Sequence, residues 1–79
     1  MFKVTVYSAA EESVLYRDES SCVILPSEEG EISVMEFHRP IVSTLNKGTI
    51  RIDRKKQFKI RGGIAAMSGA ELRIITEPL

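Results

Sequence analysis

Tryptophan is absent from the 79-residue sequence, and cysteine and histidine occur once each. One cysteine, Cys22, excludes an internal disulfide and agrees with a reducing compartment. One histidine, His38, excludes a histidine cluster for a metal ion and leaves no repeated His–Cys pattern. Five glycines and three prolines are too few for a collagen-like or low-complexity chain. No apolar run approaches the roughly 20 residues of a membrane-spanning helix. Met1-Phe2-Lys3-Val4-Thr5-Val6 alternates from the outset and lacks the basic-then-apolar shape of a secretory signal. A soluble, cytosolic, single-domain protein is the expectation.

Hydrophobic residues make up 43% of the chain, which rules against disorder, although so short a chain builds only a thin core. Net charge is zero but unevenly spread: residues 1–40 carry eight acids against three bases, and residues 41–79 the reverse. A fold that joins the two halves cancels most of this, so the asymmetry is weak support for a polyanionic partner.

Period-2 alternation recurs along the chain. Phe2, Val4 and Val6 point one way while Lys3, Thr5 and Tyr7 point the other, and the same holds for Ile32 with Val34, Ile50 with Ile52, Phe58 with Ile60, and Leu72 with Ile74. Turn signals separate these runs at 26–30, 46–48, 53–57 and 68–69. Ser8 to Glu12 could begin a helix but is too short to sustain one. Short strands at even spacing predict an all-β fold, a sandwich or small barrel. Gly48 is expected to supply a positive φ closing a hairpin after Asn46-Lys47. Gly62-Gly63 suits a bulge, a strand corner or a close backbone approach; a phosphate loop would need more glycines and a following helix.

No arrangement for catalysis emerges. Cys22 lies in Ser21-Cys22-Val23-Ile24-Leu25, which reads as a buried strand where cysteine acts as a small hydrophobe. His38, before Arg39-Pro40, reads as a turn or interface residue. Glu28, Glu29, Glu31 and Glu36 could suggest paired carboxylates, but an exposed acidic loop is the commoner meaning of such a cluster. Residues 51–61 hold six of the eleven bases. They form either a nucleic-acid-binding hairpin or a solvated one whose lysines protect a sheet edge; Phe58, its one aromatic, falls on the core face, which favours the second.

Ser27-Glu28-Glu29-Gly30-Glu31-Ile32, Val34, His38-Arg39-Pro40-Ile41-Val42-Ser43-Thr44-Leu45 and Gly48-Thr49-Ile50-Arg51-Ile52 follow one another in an order that resembles the N-terminal domain of the epsilon subunit of F-type ATP synthase, called delta in mitochondria. Ser8-Ala9 with Glu11, Gly62-Gly63-Ile64 and Ser68-Gly69 extend the resemblance over nearly the whole chain. It departs where the family has glycine and this sequence has Ser33, and where Glu36-Phe37 replaces a turn.

The resemblance implies a flattened two-sheet sandwich of about ten short strands over residues 1–79, without the C-terminal helical hairpin of the family. It further implies a non-catalytic rotor subunit, with no cofactor or metal, that is bound to the gamma subunit and the c-ring of a proton-translocating ATP synthase. The expected place is the cytoplasmic face of the bacterial plasma membrane, reached through that complex without membrane insertion. Carried over by position, the c-ring-facing residues are Glu28, Glu29, Gly30, Glu31 and Ile32, and the gamma-facing residues are Ser8, His38, Pro40 and Ser43. A free-standing small barrel binding nucleic acid through residues 51–61 is the alternative.

Overall fold

The computed structural model describes residues 1–35 and 40–78. Eight strands run through them: β1 Phe2–Ser8, β2 Ser13–Ser20, β3 Cys22–Ser27, β4 Gly30–Met35, β5 Ile41–Leu45, β6 Gly48–Ile52, β7 Lys56–Ser68 and β8 Glu71–Pro78. No helix occurs among the described residues; Ala9 to Glu12 form turns. The fold is the expected all-β sandwich, with eight strands among the described residues where about ten were expected for the whole chain.

The hydrogen-bonded order is β2-β1-β8-β7-β5-β3-β4, with β6 pairing both β3 and β7. Strand β7 explains how one sheet makes two layers. Its first part, from Lys56 to Ile60, pairs with β6, and its second, from Gly63 to Met67, pairs with β5. Thirteen residues of extended chain would span about 43 Å, yet the longest dimension of the molecule is 29 Å. The strand therefore has to bend. It does so at Gly62-Gly63, where its register against β8 slips between Ile60 and Gly62. A Cβ on Gly63 would run into the Ile75 carbonyl oxygen and lie 3.0 Å from Thr76 Cα. Thr76 Oγ1 fastens the corner by donating to the Gly62 carbonyl (2.6 Å). Of the roles open to this glycine pair, the bulged corner and the close approach both hold.

Inward residues are those the alternation selects. Phe2, Val4, Val6, Val34, Ile50, Ile52, Ile60, Leu72 and Ile74 are buried together with Val23, Leu25, Leu45, Ala65 and Met67. Ile32 and Phe58 are half-buried and pack against that cluster. Cys22 differs from expectation: β3 buries Val23, Leu25 and Ser27, so Cys22 sits half-buried on the outward row with Ile24 and Pro26.

Two turns also differ. Strands β5 and β6 do not pair with each other, so Asn46-Lys47 is a corner between layers and not a hairpin. Gly48 is absent from the positive-φ glycines; its missing side chain instead makes room for Pro26, whose Cβ would lie 2.7 Å from a Cβ there. Pro26 itself belongs to β3, opposite Glu31.

The true hairpin joins β6 to β7. Asp53 and Arg54 take left-handed φ values of 50° and 58°, a conformation that aspartate tolerates better than most residues. Lys55 N–H donates to the Ile52 carbonyl (2.9 Å). Asp53 Oδ1 accepts from Ser21 N (3.0 Å), Ser21 Oγ (3.2 Å) and Cys22 N (3.0 Å), tying the hairpin to the β2–β3 junction. Partial burial pushes its carboxyl pKa up, but hydrogen bonds from the Ser20–Ser21 corner and the Cys22 amide outweigh this and hold it below 3.8.

Gly63→Ala is expected to destabilise by about 1–3 kcal/mol, because its obstacle is backbone; urea unfolding checks this. Asp53 has a folded pKa below its unfolded one, so its contribution is present above the unfolded value and lost as pH falls through the folded value. The gap in thermal midpoint between the parent and Asp53→Asn should therefore shrink as pH is lowered from 6 to 2.

Candidate docking surfaces

Three surfaces stand out. The first is the turn between β3 and β4. Ser27 and Gly30 pair across it, leaving Glu28 and Glu29 at the tip, with Glu31 exposed just beyond. Buried Ser27 fixes its shape: the hydroxyl donates to the Gly30 carbonyl (2.5 Å) and accepts from Glu29 N–H (3.2 Å). Gly30 has φ 113°, which a side chain would strain. Glu28 N–H donates to the Thr44 carbonyl (3.1 Å) and Asn46 N–H to the Pro26 carbonyl (2.7 Å), so the turn is anchored to the β5–β6 corner. Of the five residues expected here, Glu28, Glu29, Gly30 and Glu31 are exposed together, while Ile32 faces the core.

The second is the outer face of β2, β1, β8, β7 and β5. Val14 stands opposite Tyr7, Tyr7 opposite Ile75, Ile75 opposite Ile64, and Ile64 opposite Thr44. At about 4.8 Å per strand this row crosses some 19 Å of surface. Val42, paired with Ala66, widens it at one end. These side chains are far from buried: Val42 is 80% exposed, Ile64 53%, Ile75 51% and Val14 46%. Where Ile64 and Ile75 meet the glycine corner, the surface dips into a depression of about 340 Å³. An apolar band of this extent on one sheet face is a candidate docking surface.

The expected gamma-facing residues relate to this face unevenly. Pro40 is exposed. Ser43 is half-buried and pairs with buried Ala65, so it shares the inner side of β5 with Leu45. Ser8 follows Val4 and Val6 in phase as the alternation requires, but it is 0% exposed and its hydroxyl accepts Glu11 N–H (3.2 Å). Its side chain shapes the turn after β1 and cannot itself touch a partner. His38 lies outside the described residues.

The third surface is the basic hairpin. Arg51, Arg54, Lys55, Lys56, Lys59 and Arg61 are all exposed. Phe58 is engaged elsewhere: its ring meets Tyr16 edge-on at 6.0 Å and 70°, and Lys56 Nζ lies 5.6 Å from its centroid. The aromatic that a nucleic-acid reading needs for stacking is thus spent on the Tyr16 contact and on packing against the core.

The family model of the ATP synthase delta/epsilon chain β-sandwich domain matches residues 1–78. The chain belongs to that family. The ATP synthase epsilon chain of Parvibaculum lavamentivorans is 30% identical over 70 residues, covering 84% of this chain and 53% of that protein. ATP synthase epsilon chain 2 of Nitrobacter hamburgensis is 37% identical over 79 residues, covering 96% and 57%. The chain thus spans little more than half the length of these relatives. Among solved structures, a chain of the Euglena gracilis mitochondrial ATP synthase (OSCP/F1/c-ring) has a TM-score of 0.80 at 23% identity, covering 92% of this chain and 48% of that one. One from the Tetrahymena thermophila ATP synthase central stalk/c-ring has a TM-score of 0.76 at 14% identity, covering 95% and 62%. At these identities the likeness establishes the fold.

Within this delta/epsilon sandwich, the outer apolar row went unseen in the sequence because alternation directs attention inward. A signal existed in the doublets Val14-Leu15, Ile41-Val42, Ile64-Ala65 and Ile74-Ile75. Neighbours on a strand point to opposite faces, so each doublet leaves one apolar residue outside. Ser33, where the family has glycine, is exposed on β4 opposite Ile24 and is accommodated in extended backbone.

Ser27→Ala removes both hydrogen bonds that shape the acidic turn. It is expected to cost about 1–2 kcal/mol in urea unfolding and to speed hydrogen exchange at the Glu29 amide.

Proposed function

We propose that this sandwich is the docking domain of an epsilon-type rotor subunit. It joins gamma to the c-ring in the central stalk of a proton-translocating F-type ATP synthase and supports the coupling of proton flow to ATP synthesis. In this role it does no chemistry of its own and holds no cofactor. It lies at the cytoplasmic face of the bacterial plasma membrane through the complex alone.

The observation that carries this reading is the apolar row from Val14 to Ile64, presented on a five-stranded face and separate from the acidic turn. A coupling element has to pass torque between two partners, so it needs two docking surfaces held stiffly apart. The outer face suits gamma, where interfaces of about 800 Å² per side are usual. The turn bearing Glu28, Glu29 and Glu31 suits the polar loops of the c-ring, where exposed charges contribute about 0.2–1 kcal/mol each and fade with salt.

Ile64→Asp and Ile75→Asp should each weaken gamma binding at least tenfold with the thermal midpoint of the free domain almost unchanged, because both residues are exposed there. Glu31→Cys in a Cys22→Ser background should form a disulfide with a cysteine in the c-ring loop, and Lys55→Cys should not. Undiminished gamma binding by both aspartate variants, or cross-linking through Lys55→Cys alone, would overturn the assignment. Retention on RNA in place of gamma would favour the basic hairpin.

A further inference from the structure

Beside the apolar row runs a second row of different chemistry. Thr5 on β1 is flanked by Arg17 on β2 and Arg73 on β8, each in direct register with it. Strand spacing places the two arginine backbones about 10 Å apart, with all three side chains on the outer face. Arg73 makes one exposed ion pair, to Glu71 (3.1 Å). Arg17 has no ion pair among the described residues, and Glu19, the acid nearest it along the same face of β2, stands opposite Lys3. Between the arginines, Thr5 Oγ1 is buried and has no hydrogen-bond partner.

That hydroxyl is the anomaly. A buried hydroxyl without a partner is destabilising, and guanidinium groups, which are donors only, cannot take its proton. The one acid that lines this surface, Glu71, is engaged by Arg73, so Arg17 and the Thr5 hydroxyl are left without an acceptor among the described residues. A depression of about 330 Å³ is lined by Thr5, Arg17, Arg73 and the Arg73-paired Glu71, and runs into Tyr7, Val14 and Ile75.

We infer that the Arg17–Thr5–Arg73 row receives a carboxylate side chain of the partner that covers the apolar row. One oxygen accepts from the Thr5 hydroxyl and the other from a guanidinium, as the arginine side chains part to admit it. The recognised feature is therefore an aspartate or glutamate next to an apolar contact on the partner, and the arginine pair sets the register in which gamma lies across the sheet. This rests on the docking role proposed above.

Thr5→Val separates the two levels, because it removes the orphaned hydroxyl at constant shape. In the free domain it should raise the thermal midpoint, and in the complex it should weaken gamma binding about three- to tenfold. Arg17→Gln with Arg73→Gln should weaken gamma binding at least tenfold at low salt and flatten the dependence of affinity on ionic strength. Unchanged affinity in both variants, while Ile64→Asp still weakens binding at least tenfold, would overturn the carboxylate site and leave the docking face standing. Undiminished binding by Ile64→Asp would instead remove the docking face itself.

Discussion

The contact between Gly63 and the Ile75 carbonyl governs the whole architecture. Because no side chain stands there, β7 turns its corner with its backbone pressed against β8, and one strand becomes the shared wall of two layers. Its first part holds β6, and through β6 the β3–β4 pair; its second part holds β5. Without the corner there would be a long, open sheet with one apolar face and nothing to cover it. With it, fourteen hydrophobic side chains of the described residues close on one another. A chain of this size has little core to spare.

The same corner sets the outer surface. Bending β7 inward on one side presents Ile64 outward on the other, in line with Ile75, Tyr7 and Val14. The acidic turn hangs from the β5–β6 corner by main-chain bonds from Glu28 and Asn46, so its place follows the bend too. Neither surface depends on a mobile arm. In the rotor role proposed above, a stiff link matters more than affinity at either contact, since a compliant one would dissipate torque.

Alternation made the buried face of β1, β4, β6 and β8 legible in advance, because period 2 is a strong signal wherever one side of a strand is covered. It misled at Cys22, where an apolar run without interleaved polar residues concealed that half of β3 faces outward. At Gly48 the local turn chemistry was right in kind and wrong in cause: the glycine answers to Pro26, twenty-two positions away, and no local rule reports such a neighbour. The acidic turn was legible because Ser27, Gly30 and the glutamates sit side by side in sequence. The apolar row and the Arg17–Thr5–Arg73 row were not, since each is assembled across strands whose register only the fold supplies. Ser8 shows the converse: its phase was correct, but phase alone does not say that the turn after it folds back and buries it.

Strand β8 lies between β1 and β7, parallel to the first and antiparallel to the second. During synthesis β1 is made first and can pair with β2 at once, but its other edge stays open until residues near 71–78 leave the ribosome. Strand β7 waits in the same way. The central seam of the sheet is therefore closed last, by insertion between two elements already in place, and the pairing of β1 with β8 spans almost the whole chain. Such non-local closure is slow. Until it occurs, two unpaired edges and the inner faces of Phe2, Val4, Ala65 and Met67 are open to other chains. The interval before β8 arrives is when these edges and faces are most exposed to aggregation.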